Sequence, residues 1–114
     1  MCIFCKIVAR EIPAKIVYED SEILAFSDIH PVAPVHILII PKEHIESVND
    51  LKDTDKELMG KIILVAKKIA EDLKISVNGY KLLIRTGVDG GQEVSHLHLH
   101  LIGGAKLYEE IRTA

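Results

Sequence analysis

The chain has 114 residues, 48% hydrophobic and 27% charged, with a formal net charge of −3. That length suits a single domain, 1–114, which buries about two thirds of the surface of its unfolded chain and has no room for a linker. The acidic balance and the lack of a basic stripe argue against a nucleic-acid partner but not against a single nucleotide; with no run near the roughly 18 apolar residues of a membrane span and no signal-like opening segment, the expected location is the cytoplasm, with no membrane partner.

In chain order, Cys2 and Cys5 come first, a Cys-x-x-Cys pair with no second pair in the chain. A thioredoxin-like redox role needs that motif to lead a helix after a strand, and no strand precedes residue 2. A structural zinc site needs two more ligands, which histidines can supply; otherwise the two are reduced thiols. Residues 15–18 and 23–26 read as the strands of a hairpin around the polar turn Glu19-Asp20-Ser21-Glu22. Asp28 follows, and Pro31 and Pro34 stiffen the connection to a buried strand over 35–40 that Pro41 closes. A long helix is marked by a Thr54/Glu57 capping box and by Leu58, Ile62, Val65, Ala66, Ile69 and Leu73 along one face, and should end near Leu73 or Lys74. Asn78-Gly79 is a tight turn before a strand over 80–84, and 86–92 is a glycine-rich loop. Gly87, Gly90 and Gly91 are either turn residues or, standing just before a histidine cluster, a nest whose amides receive phosphate oxygens. Strands outnumber helices and the hairpins imply antiparallel pairing, so the fold class is α+β, an antiparallel sheet with a long helix on one face.

The next run reads His96-Leu97-His98-Leu99-His100-Leu101-Ile102. In a strand this spacing puts three imidazoles on one face and the leucines on the other. Apolar neighbours give no packing reason for polar rings there. The rings therefore hold a nucleophile and phosphate ligands, or a metal. Same-face positions lie roughly 6.5 Å apart, so neighbouring rings can chelate one ion whereas the outer pair, about 13 Å apart, is poorly placed to do so.

His-x-His-x-His followed by two apolar residues and preceded by Gly90-Gly91-Gln92-Glu93-Val94 resembles the motif of the histidine triad (HIT) family of nucleotide-binding hydrolases and transferases. Ile3-Phe4-Cys5-Lys6-Ile7, Glu11-Ile12-Pro13-Ala14, Tyr18-Glu19-Asp20, Phe26-Ser27-Asp28-Ile29, Ala33-Pro34-Val35-His36 and Ile40-Pro41-Lys42-Glu43-His44-Ile45 are similar to its small HINT branch, so the resemblance covers nearly the whole chain. It implies a HIT-like fold: a five-stranded antiparallel sheet with one long helix and a shorter N-terminal helix, in a homodimer whose sheets join. It also implies a hydrolase acting at the α-phosphate of purine nucleotides (AMP, GMP or their phosphoramidates) through a nucleotidyl-histidine intermediate, foremost an adenosine 5′-monophosphoramidase. The alternatives are a dinucleoside polyphosphate hydrolase or nucleotidyltransferase of the same family, and a metal-binding or metal-dependent module without covalent catalysis.

Carried over residue by residue, the motif makes His98 the nucleophile, with His96 orienting it, His100 contacting phosphate and His36 completing the cluster. Asp28 holds the ribose hydroxyls, a task suited to two acceptor oxygens. Ile3, Phe4, Phe26, Ile29 and Leu38 match the apolar base pocket, and Arg85, Gly91, Gln92, Glu93 and Val94 complete the substrate-binding set. No cofactor is required for catalysis, since imidazole with its unperturbed pKa of about 6.5 is nucleophilic near neutrality. Family members with the same cysteine pair bind zinc, which implies a structural zinc on Cys2, Cys5, His44 and His96. Three positions depart from the family pattern: Arg85 replaces a usual amide, Ser95 a common aromatic, and Glu93 a hydroxyl that some relatives place near the leaving group.

Overall fold

The structure is a computed structural model that describes residues 2–108. Helix α1 (Ile3–Val8) precedes strands β1 (Ile16–Glu19), β2 (Ile23–Ser27) and β3 (Val35–Pro41). Two short 3-10 turns lead into helix α2 (Lys56–Asp72), and strands β4 (Tyr80–Ile84) and β5 (Leu99–Gly103) follow. The five strands form one antiparallel sheet in the order β1-β2-β3-β5-β4. The α+β class, the five-stranded sheet and both helices are as the sequence and its resemblance imply.

The central strands are near-continuous apolar runs because both faces of the sheet are covered. Alternation along each strand sorts side chains between the two faces. Ile23, Ala25, Ile37, Ile39, Leu99 and Leu101 pack against Ile62, Val65, Ala66 and Ile69 of α2. Leu24, Phe26, Leu38 and Ile40 pack on the other side against Phe4 and Ile7 of α1. Since α1 is only 6 residues long, it covers part of that face and leaves the rest open.

Several boundaries differ from expectation for local physical reasons. The first hairpin starts one residue later, and its turn is closed by Asp20, whose Oδ1 accepts the Glu22 and Ile23 amides at 2.8 Å. The expected Thr54/Glu57 capping box does not form. Thr54 lies inside the 3-10 turn Asp53–Asp55, where it cannot adopt the extended conformation of an N-cap, and the Asp55 carboxylate accepts the Lys52 amide at 2.8 Å instead. At the other end Leu73 is the C-cap and 42% exposed rather than core. Lys74 turns left-handed at φ 62° and the Ile75 amide returns to the Ala70 carbonyl at 3.0 Å, so Ile75 enters the core in place of Leu73.

The strand expected to carry all three histidines begins at Leu99, so only His100 lies on it. Its register pairs Leu99 with Ile39, and continuing it would set Leu97 opposite Pro41. Pro41 has no N–H to donate, and the Leu97 amide bonds the Ile45 carbonyl at 2.7 Å instead. His96 and His98 therefore sit on an irregular segment entering β5. Among the described residues no helix is long and apolar enough to cross a membrane.

Candidate active site

The open part of the α1 face is a cleft of about 690 Å³, within the roughly 300–1,000 Å³ of small-ligand sites. His36 of β3, His98 and His100 lie along its wall, with ring centroids 5.2 Å apart for His36 and His100 and 5.0 Å for His98 and His100. The hydrogen-bond network assigns the tautomers of the neutral rings. The Val32 amide donates to His36 Nδ1 at 3.2 Å, so the His36 proton is on Nε2. That N–H donates to His100 Nδ1 at 2.9 Å, which puts the His100 proton on Nε2, a buried atom with no protein partner among the described residues. His98 Nδ1–H donates to the His96 carbonyl at 2.6 Å, leaving the lone pair on Nε2.

Electrostatics favours the neutral form of His36 and His100. Burial pushes His36 below the ordinary histidine range; the Asp28 carboxylate, 3.5 Å from Nε2, opposes this and Arg85 reinforces it. Burial, then the neighbouring His98 and His36 rings and the Arg85 charge, push His100 down to about 4. At neutral pH His100 is an uncharged donor through Nε2.

The far end of the cleft is apolar. Phe4 meets Phe26 edge-on at 5.4 Å and His98 at 5.1 Å, with Ile3 and Leu38 on the same wall and Ile29, 79% exposed, at the mouth. Sequence reasoning missed Ile7, Ile12, Pro13, Ala14, Ser27, His30 and Val32, which also line it. Most belong to segments matched to the family, but a short apolar stretch carries no sign of facing a cleft rather than the core. Asp28 is on the wall as well: Oδ1 accepts the His30 amide at 2.8 Å in an Asx turn, and Oδ2 faces His36.

Arg85, Gly91, Glu93 and Val94 also line the cleft, with Val94 packed against the apolar cluster of Phe4 and Leu38. Gln92 does not. Its Oε1 accepts the Gly87 amide at 3.0 Å and its Nε2 donates to the carbonyls of Glu46 at 2.7 Å and Val94 at 3.0 Å, locking the loop. The expected anion nest is corrected by the same bonds. The Gly91 and Gln92 amides go to the Val88 and Gly87 carbonyls at 3.0 Å, so with Gly87 three of the loop amides are used internally. Gly90 is required for space, since a Cβ there would lie 2.3 Å from the Thr86 carbonyl oxygen.

His96 faces away from the cleft. Its ring is fully buried, and Nε2–H donates to the Pro41 carbonyl at 2.8 Å. It holds His98 through its main-chain carbonyl, and its Nδ1 lone pair points at Cys2 and Cys5 Sγ, 3.4 and 3.6 Å away. The three triad rings therefore do not converge on one ion. His44 Nδ1 lies 3.5 and 3.2 Å from the same two sulfurs, and all four ligand atoms fall within 4.8 Å of one another. Tetrahedral zinc with bonds near 2.3 Å to sulfur and 2.05 Å to nitrogen spaces those atoms roughly 3.5 Å apart, so Cys2, Cys5, His44 and His96 fit a zinc ion.

A family profile described as "HIT domain" matches residues 9–107. The chain is 51% identical over 105 residues to the "Purine nucleoside phosphoramidase" of Escherichia coli, covering 92% of this chain and 88% of that protein. It is 49% identical over 109 residues to an "Uncharacterized HIT-like protein" of Buchnera aphidicola, covering 94% and 97%. Among solved structures, a HIT family hydrolase from Legionella pneumophila superposes with a TM-score of 0.93 at 52% identity, covering 95% of this chain and 96% of that one.

Proposed function

The chain belongs to the HIT domain family, and we propose that it is a purine nucleoside phosphoramidase working through a nucleotidyl-His98 intermediate. One observation carries this reading: a His98 Nε2 lone pair and a His100 Nε2–H without a partner among the described residues share one cleft beside an apolar pocket. The base of AMP or GMP enters between Ile3, Phe4, Phe26, Ile29 and Leu38, and the Asp28 carboxylate takes the ribose hydroxyls. His98 Nε2 attacks the α-phosphorus. A P–N bond forms to the ring as the scissile P–N bond breaks, and the departing nitrogen takes a proton from solvent in the open cleft and leaves as the amine. Positive charge growing on His98 is stabilised by its 2.6 Å bond to the His96 carbonyl. His100 Nε2–H donates to a non-bridging phosphoryl oxygen. Water then attacks phosphorus, breaks the bond to His98 and releases the nucleoside monophosphate.

The zinc we place on Cys2, Cys5, His44 and His96 is structural: four protein ligands leave no open coordination position, and the ion supplies a cross-link between α1 and the chain entering β5. The proposed bond-breaking steps use no cofactor. Two cysteines outside any disulfide suit a cytoplasmic location. The strand β4 ends the sheet with all five residues half-buried, and pairing across a two-fold axis would protect that edge in the homodimer we infer.

The test is His98→Ala. Hydrolysis of adenosine 5′-phosphoramidate should fall by about 10⁴-fold or more while AMP affinity stays within a few-fold. Mass spectrometry after an alkaline quench should find adenylate on His98 of the wild type. Near-normal hydrolysis by the variant would overturn the reading.

A further inference from the structure

We propose that Arg85 selects substrates whose leaving group carries a negative charge, an assignment that rests on the reading above for which atom is attacked. The β4–β5 ladder ends at the pair Ile84 and Leu99, so Arg85 and His98 are the next residues on the two segments, and both line the cleft. Its side chain is on the cleft wall and exposed, lying over the loop, where a Cβ on Gly91 would sit 3.6 Å from Nη1. The apolar pocket is on the other side of His98, toward β2, β3 and α1. A base seated there and a phosphorus at His98 leave Arg85 on the side away from the nucleoside. In an in-line displacement the leaving group departs opposite the nucleophile, toward the open mouth that Arg85 borders.

Arg85 is available for such a group. Among the described residues its guanidinium makes no ion pair, although Glu93 shares the wall. Its charge nevertheless reaches the site, helping to hold His36 and His100 below the ordinary histidine range. A cation near catalytic rings, with no internal partner, raises the local concentration of anions and can grip a carboxylate or phosphate with two parallel N–H bonds. An uncharged amine as leaving group uses none of this. The chemistry recognised is an anion attached to the leaving atom, either the carboxylate of an amino acid linked through its nitrogen or a further phosphate.

Two arms test the proposal and separate the sources. In the first, kcat/KM is measured for an adenosine phosphoramidate of alanine with a free carboxylate and for its methyl ester. Wild type should favour the carboxylate, and Arg85→Gln should reduce the carboxylate-to-ester ratio by about fivefold, with Arg85→Lys in between. In the second, calorimetry compares ADP with AMP. Arg85→Gln should lose a similar factor of the ADP preference, and the wild-type preference should shrink at about 0.5 M salt. Lys67→Gln, on the exposed face of α2, controls for net charge and should change neither ratio. A response in the first arm alone identifies a carboxylate, and in the second alone a phosphate. Ratios unchanged by Arg85→Gln in both arms overturn the proposal. Failure of wild type to cleave either phosphoramidate overturns the functional reading instead, and the binding arm still decides the role of Arg85.

Discussion

Replacing His100 by Gln should remove most of one step in the acid sensitivity of the fold. Burial and neighbouring charge hold His100 at about 4 in the folded protein, against 6.5 for an unperturbed ring. Between those values the unfolded chain binds a proton that the folded one does not, so stability is complete above about pH 6.5 and falls as the pH drops toward 4. Each pH unit crossed in that window costs about 1.4 kcal/mol, so the loss attributable to this ring is about 1 kcal/mol at pH 5.5 and between about 2 and 3 kcal/mol at pH 4.5. Other groups lose stability in the same direction: His36 is also depressed, as are the carboxylates of Glu19 and Asp20. The informative quantity is therefore the difference between wild type and His100→Gln, whose amide oxygen can still accept from His36. Urea denaturation of both proteins from about pH 7 to 4.5 should show that difference shrinking by about 2 kcal/mol. A proton NMR titration of the wild type should place the His100 ring near 4. Parallel stability curves, or a ring titrating at its ordinary value, would refute the argument that burial keeps this donor uncharged.

Protein purified without added metal should contain close to one zinc per chain by elemental analysis, and less than about a tenth of an equivalent would reject the site. Cys2→Ser should lower the thermal midpoint before it lowers activity, since an ion held there would tie α1 to the segment holding His98 rather than touch substrate. Light scattering at micromolar concentration should give twice the chain mass of 12.7 kDa, and a monomer mass would count against pairing through the β4 edge.

Local pattern along the chain is enough to say which residues form each face of the sheet and where most strands lie. The alternating and continuous apolar runs in β2 and β3 leave few alternatives once a two-residue side-chain period is imposed, and Leu99 and Leu101 go to the α2 side because His100 between them goes to the other. Turn chemistry at Asp20 and Asn78-Gly79 is equally local. Contacts between distant segments settle what such patterns cannot encode. His96 and His98 share a motif and a spacing, yet one ring joins two cysteines more than 90 residues away while the other enters the cleft, because Pro41 cannot continue the ladder and accepts the His96 ring through its carbonyl. Gln92 sits in the glycine-rich motif but binds the loop, since its partner Glu46 comes near only in the fold. The proton positions on His36, His98 and His100 follow from hydrogen bonds to Val32, to the His96 carbonyl and to each other. Spacing along the chain keeps His98 and His100 close; contacts across the sheet bring His36 beside them and decide which nitrogen of each faces the cleft.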